Sequence, residues 1–200
     1  MDRLSELMRA TLERGGCVVT ADPHQAYQLR LAWAEHQQRQ HRTGWASADI
    51  LSLDAAITRA WQRALIDDAA PRPILLSAAQ ERTLWEQVVR SRRTEEFLQP
   101  HGTARAAQRS WRRLHAWNLD VRRAGAGSSE ESRSFLQWAR AFEQRCEMLG
   151  VIDAARALAL APLPTEHSRP WLLAGFDIVP PAVEALWQRW REAGIEVAID

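Results

Sequence analysis

Short apolar, β-branched runs that each pass directly into a helix-start signal constrain this chain more than any other feature. Cys17-Val18-Val19-Thr20 lies between Gly15-Gly16 and Asp22-Pro23. Four such residues read as a buried strand, and the preceding glycines end a short helix over 3–13. Aspartate is a favoured N-cap and proline suits the first helical position, so Asp22-Pro23 opens a second helix, with Gln25 at the capping-box position. That helix runs to about Gln40 and carries Tyr27, Leu31 and Ala34 on one face, with Trp33 beside it. Ala48–Leu51 predicts a second strand, and Ser52 or Asp54 opens a helix bearing Leu53, Ile57, Trp61 and Leu65. The same signature returns late in the chain. Trp171–Phe176 has strand length, Pro180-Pro181 leads a helix with Val183, Leu186, Trp187 and Trp190, Gly194 ends it, and Ile195–Ile199 is a last strand.

Between these blocks the periodicity is helical. Residues 67–73 read as a loop. Ser77 and Gln80 form a capping box ahead of Leu84, Trp85, Val88 and Val89. A helix follows over about 103–118. Past the Gly125–Gly127 break, Ser128 and Glu131 form another box before Phe135, Trp138, Phe142, Cys146 and Leu149. Residues 153–160 make a short helix and 162–165 a linker. The order βαβα, helices, βαβ implies an α/β fold with a parallel sheet and a large all-helical insert. The sheet domain takes 1–69 and 168–200, and the insert takes 70–167. A chain that stops on a strand reads as a fragment of a longer protein.

Composition enters through one anomaly: there is no lysine, and all 26 basic residues are arginine. This excludes a P-loop lysine, a Schiff base and the lysine of a nuclease motif, and no cofactor is expected. The charges are unevenly spread: residues 77–125 carry a net +5 and residues 126–200 a net −4. Cys17 and Cys146 are far apart, and residues 1–16 carry charges throughout. No apolar run approaches the roughly 18 residues of a membrane span. The expectation is a protein of the reducing cytoplasm with no membrane partner.

Candidate sites are few. A nucleotide-binding loop belongs after the first strand, where it needs glycines, free N–H groups and a lysine. The segment there, Thr20, Ala21, Asp22, Pro23 and His24, has neither glycine nor lysine. Pro23 lacks an N–H, and the Asp22 carboxylate stands where a phosphate would sit. An ordinary capped helix is the reading, with no ATP bound. The histidines His24, His36, His41, His101, His115 and His167 show no metal-ligand spacing, so no metal site is expected. No nucleophile elbow is present. Most tryptophans fall on apolar helical faces; Trp45, beside Gly44 in a polar stretch, is the best candidate for an exposed aromatic. At about 100° per residue, Arg105, Arg109 and Arg112 fall together with Arg113 adjacent, and Ala107, Trp111 and Leu114 lie opposite. Arg90, Arg92, Arg93, Arg122 and Arg123 could extend this stripe. A solvated face is the commoner outcome for such a run, and the local excess with few acidic partners raises a phosphate-binding face to an even footing with it.

Several segments taken in order resemble a known family. They are Cys17–Thr20 into a helix; Ala48-Asp49-Ile50-Leu51-Ser52-Leu53-Asp54 into a helix with Trp61; Leu75-Leu76-Ser77-Ala78-Ala79-Gln80-Glu81 with Leu84-Trp85; and Leu172-Leu173-Ala174-Gly175-Phe176-Asp177 before Pro180. Together they resemble the N-terminal, helicase-like region of AddB/RecB-like bacterial DNA repair proteins. The resemblance covers nearly all of the chain. It implies a partial P-loop NTPase-like, superfamily 1 helicase-like sheet interrupted by a helical subdomain, with an exonuclease domain beyond residue 200. Its Walker A position maps to Thr20–His24 and its Walker B carboxylate to Ala174; both have lost the motif. The implied role is a non-catalytic scaffold that guides DNA or holds an assembly, with DNA, the rest of the same chain and a helicase subunit as partners. A protein–protein adaptor that never touches DNA is the alternative.

Overall fold

Helix caps set the local order of the chain, and the computed structural model describes them within residues 4–67, 72–91, 100–120, 129–164 and 169–200. Ser5 caps α1 (Glu6–Glu13) by accepting from the Met8 N–H, and the chain turns through Gly15 into β1 (Cys17–Thr20). Asp22 caps α2 (Pro23–Arg39): its carboxylate accepts from the Gln25 N–H at 2.9 Å. Then come β2 (Ile50–Ser52) and α3 (Leu53–Asp67). After the intervening helices the sheet resumes with β5 (Trp171–Ala174), α8 (Pro181–Glu192) and β6 (Val197–Ile199).

The four strands form one parallel sheet in the order β2-β1-β5-β6. Val18 stands between Ile50 and Leu172, and Leu172 meets Ala198 on its other side. β1 and β5 are buried along their whole length, as strands covered on both faces must be. Val18, Leu172 and Ala174 share a core with Leu4, Met8 and Leu12 of the N-terminal segment and Ala26, Leu29 and Trp33 of α2. On the alternate positions, Trp171 meets Trp190 edge-on at a ring separation of 4.9 Å and Trp187 at a tilt, 6.3 Å away. The fold is therefore mixed α/β with a mostly parallel sheet.

Three sequence expectations change. The first is the face of α2. Its buried residues are Ala26, Leu29, Ala32, Trp33 and Gln37, whereas Tyr27 and Leu31 are 53% and 43% exposed. Apolar residues stand on both sides of this helix, so periodicity alone does not choose between them. The second is the all-helical insert. Ile74–Leu75 (β3) pairs in parallel with Val151–Ile152 (β4). Two residues are too few to show an alternating pattern, and their partner is remote in sequence. The third is the cap before α6 (Glu130–Leu149). Ser129 is the N-cap, one residue later than expected, and Ser128 lies outside the described residues.

The chain divides into two compact units. One comprises Met1–Asp67, Ala161–Val179 and Glu184–Asp200; the other comprises Asp68–Leu160 and Pro180–Val183. The second unit holds α4 (Ala78–Ser91), α5 (Pro100–Ala116), α6 and α7 (Ala154–Ala159) together with β3 and β4. The expected Ser77–Gln80 capping box is complete: the Ser77 N–H donates to Gln80 Oε1, and the Gln80 N–H to Ser77 Oγ. Among the described residues, no helix is long and apolar enough to cross a membrane.

Candidate nucleic-acid interface

The interior of the helical unit fixes which side of α5 faces outward. Trp85 of α4 stacks on Phe142 of α6 at 4.1 Å, and Trp111 of α5 meets both rings edge-on. The Trp111 indole N–H donates to the buried Asp153 carboxylate at 3.0 Å. That carboxylate also caps α7 and accepts from the Arg156 guanidinium. With Ala104, Ala107 and Trp111 turned inward, the opposite side of α5 presents Arg105, Arg109 and Arg113 to solvent. α5 contains no acidic residue. These three arginines make no ion pair with any described residue. Spaced at i, i+4 and i+8, they rise about 12 Å along the helix axis.

Arg112 does not belong with them. Its Nη2 donates to Glu81 Oε2 at 2.9 Å and its Nε to Oε1 at 3.4 Å, and the Glu81 side chain is fully buried. The helical wheel places Arg112 beside Arg105, but α4 lies at that edge of α5 and turns the guanidinium into a structural partner. Of the arginines that could extend the stripe, Arg90 is engaged with Glu86 and His101; Arg92, Arg93, Arg122 and Arg123 lie outside the described residues.

Beside the cationic face runs a groove of about 280 Å³ between α5 and α6, lined by Ser110, Arg113, Leu114, Ser132, Phe135 and Leu136. A larger cleft of about 580 Å³ adjoins it through Leu136 and carries His115, Asp120, Glu143 and Glu147. Burial holds the His115 imidazole below its ordinary value, and nearby Arg156 pushes the same way; Asp153 and Glu143 oppose them. The smaller groove carries one charged side chain, Arg113 on its α5 wall, and α6 brings Arg140 as well as Glu143 and Glu147 to the larger cleft.

At the carboxyl ends of the sheet strands the geometry differs from what the loop sequence alone suggests. β1 and β5 are neighbours, and the chain leaves them to opposite sides of the sheet, so this is the switch point where open α/β sheets bind ligands. Thr20 Oγ1 donates toward the carbonyl oxygens of Asp22 and Leu51. Ala174 ends β5 opposite Thr20, so no carboxylate stands at that strand end; Ala21, Pro23 and His24 are exposed. Gln25 does not complete a capping box. Its side chain lies against Gly175, so closely that a Cβ there would stand 1.6 Å from Nε2. Gly175 has a φ of +70°, which only glycine adopts without strain. Gln25 thus packs on the backbone at the switch point, beside a hollow of about 540 Å³ lined by Asp22, His24, Gln25, Gln28 and Leu29, and sequence reading missed this contact because position 25 also suits a cap.

Cys17 is buried in β1, and burial pushes its thiol up to about 12; Cys146 is pushed up to about 11 for the same reason. No group of three or more His, Cys, Asp or Glu side chains among the described residues could hold a metal. Trp45 is exposed at 36%, but Tyr27 and Trp117 are more so. No protein-family model matches the chain, and no curated protein does so either.

Proposed function

We propose that this chain is a non-catalytic, helicase-like domain of a cytoplasmic bacterial DNA repair helicase–nuclease, and that it holds DNA non-specifically through α5. One observation carries the reading: Arg105, Arg109 and Arg113 form an exposed, acid-free cationic face with no ion pair to any described residue. Cations held this way neutralise phosphates and release counterions, giving affinity without sequence preference. The parallel sheet and the likeness of its flanking segments to AddB/RecB-like proteins support a degenerate P-loop, superfamily 1 helicase-like core. The Gln25–Gly175 contact, the Asp22 cap and Ala174 support a core that has given up ATP.

The test is titration of the chain with a labelled single-stranded oligonucleotide across a salt series. Three phosphate contacts give a slope of about −2 in log affinity against log salt. Replacing Arg105, Arg109 and Arg113 together by glutamine flattens that slope and weakens binding equally for all sequences. Unchanged binding in a folded triple variant refutes the reading. The rival, a protein adaptor, is favoured by exposed Tyr27 and Leu31 on α2. It requires that no DNA bind at all.

A further inference from the structure

We infer that the strand held on α5 is single, with its phosphates along Arg105, Arg109 and Arg113 and a base entering the groove beside Phe135. This rests on the reading of α5 as the DNA-holding face. The two walls of the groove differ in character. Arg113 lines the α5 wall, and Arg109 and Arg105 continue from it along the exposed side of α5 about one helical turn apart, a spacing of the same order as that between neighbouring phosphates of a strand. The α6 wall of the groove is uncharged: Ser132, Phe135 and Leu136 line it. A sugar–phosphate backbone is attracted to the cationic side and finds an uncharged, partly apolar wall opposite, so its bases point toward α6.

What they meet there suits a base. Phe135 is half-buried: it packs on the core of the unit and also lines the groove with Leu114 and Leu136. Ser110 and Ser132 add hydroxyls that donate or accept, so the edge of any base is satisfied without one being selected. At about 280 Å³ the groove has room for one planar base and not for a duplex. Aromatic stacking beside a cationic track is how sequence-tolerant single-strand binding is built, whereas a duplex keeps its bases stacked inside and gains only the phosphate contacts.

The experiment compares an oligothymidylate with a duplex of equal length on three proteins: the unaltered chain, Phe135→Leu, and the Arg105, Arg109, Arg113 triple glutamine variant. Leucine keeps the apolar packing, and circular dichroism verifies the fold. Phe135→Leu is expected to weaken single-strand binding about tenfold and leave duplex binding unchanged. The triple variant is expected to weaken both. If Phe135→Leu leaves single-strand affinity intact while the triple variant weakens it, the groove is not a base site, although α5 still holds DNA. Equal losses on single strand and duplex assign Phe135 a purely structural role and also overturn the inference. A triple variant that binds as before removes the functional reading and this inference with it.

Discussion

Arg112 and Arg109 lie three residues apart on one helix, yet their removal should have very different consequences for stability. Glu81 is fully buried and receives both hydrogen bonds described for it from the Arg112 guanidinium. Truncating Arg112 to alanine leaves a carboxylate in a hydrophobic surround without its cation, and breaking such a pair typically costs 3–5 kcal/mol. Arg112 is itself about a third exposed, so water reaches the carboxylate once the side chain is gone. The expected cost therefore falls at the low end, about 3 kcal/mol, or more than a hundredfold in the folded-to-unfolded ratio. Arg109→Ala removes an exposed charge with no partner among the described residues and should change stability by no more than about 0.5 kcal/mol. Urea unfolding followed by circular dichroism measures both. Replacing Glu81 and Arg112 together by leucine should restore most of the loss, because the penalty belongs to the orphaned charge and not to the absence of the pair. If Arg112→Ala and Arg109→Ala agree within about 0.5 kcal/mol, Arg112 is not the cation that compensates buried Glu81.

Three further outcomes follow from the described contacts. Gly175→Ala should destabilise the sheet unit by about 1–3 kcal/mol, from the positive φ and the collision with Gln25, and adding Gln25→Ala should recover the collision part in a double-mutant cycle. His115 has a lowered folded-state pKa, so the unfolded chain binds its proton first. Stability should be full above about pH 6.5 and fall as pH drops below it; His115→Phe should flatten that slope in unfolding curves taken between about pH 7 and 5. Cys17 and Cys146 should react with a thiol reagent at least about a hundredfold more slowly in the folded protein than in denaturant, and fast labelling of either without unfolding would contradict their burial.

What could be read from the sequence depended on whether a feature was local. β1 and β5 were legible because strands covered on both faces are apolar throughout, and the Ser77–Gln80 box because it closes within four residues. β3 was not legible: its two residues are strand only because Val151 and Ile152 lie beside them. The α2 face failed for another reason. Leu29 and Trp33 point into the core, but Tyr27 and Leu31 make an equally apolar stripe outside. At the candidate interface, helical periodicity found the arginine face, since Arg105, Arg109 and Arg113 depend only on the turn of α5. It could not separate Arg112, whose role is set by a buried carboxylate on another helix. The groove beside Phe135 was also hidden, because a hollow between two helices has no signature in either one.

The absence of lysine can be divided in the same way, between arginines the fold requires and arginines it merely tolerates. Arg59 and Arg169 each donate to a different oxygen of Asp49, and Arg169 also reaches the Gly15 carbonyl. Arg59 sits over the Trp171 ring at 5.7 Å, and Arg156 over Trp111 at 5.9 Å while it holds Asp153. Arg112 grips both oxygens of Glu81. Each of these uses the planar guanidinium as a fork or a stacking plane, and an ammonium offers a single point of charge with neither property. Arg112→Lys should therefore lose one of two charged hydrogen bonds and cost about 1–2 kcal/mol. Lysine at 59, 156 or 169 should destabilise in the same direction. At 105, 109 and 113 the proposed work is phosphate neutralisation, which a lysine performs as a point charge. A chain with lysine at those three positions should keep its stability, its DNA affinity within a few-fold and its salt slope. Loss of binding in that variant, with the fold intact, would mean that the α5 face recognises something that needs a fork and not merely a charge. A carboxylate partner, as in the adaptor reading, would then displace DNA as the ligand of this face.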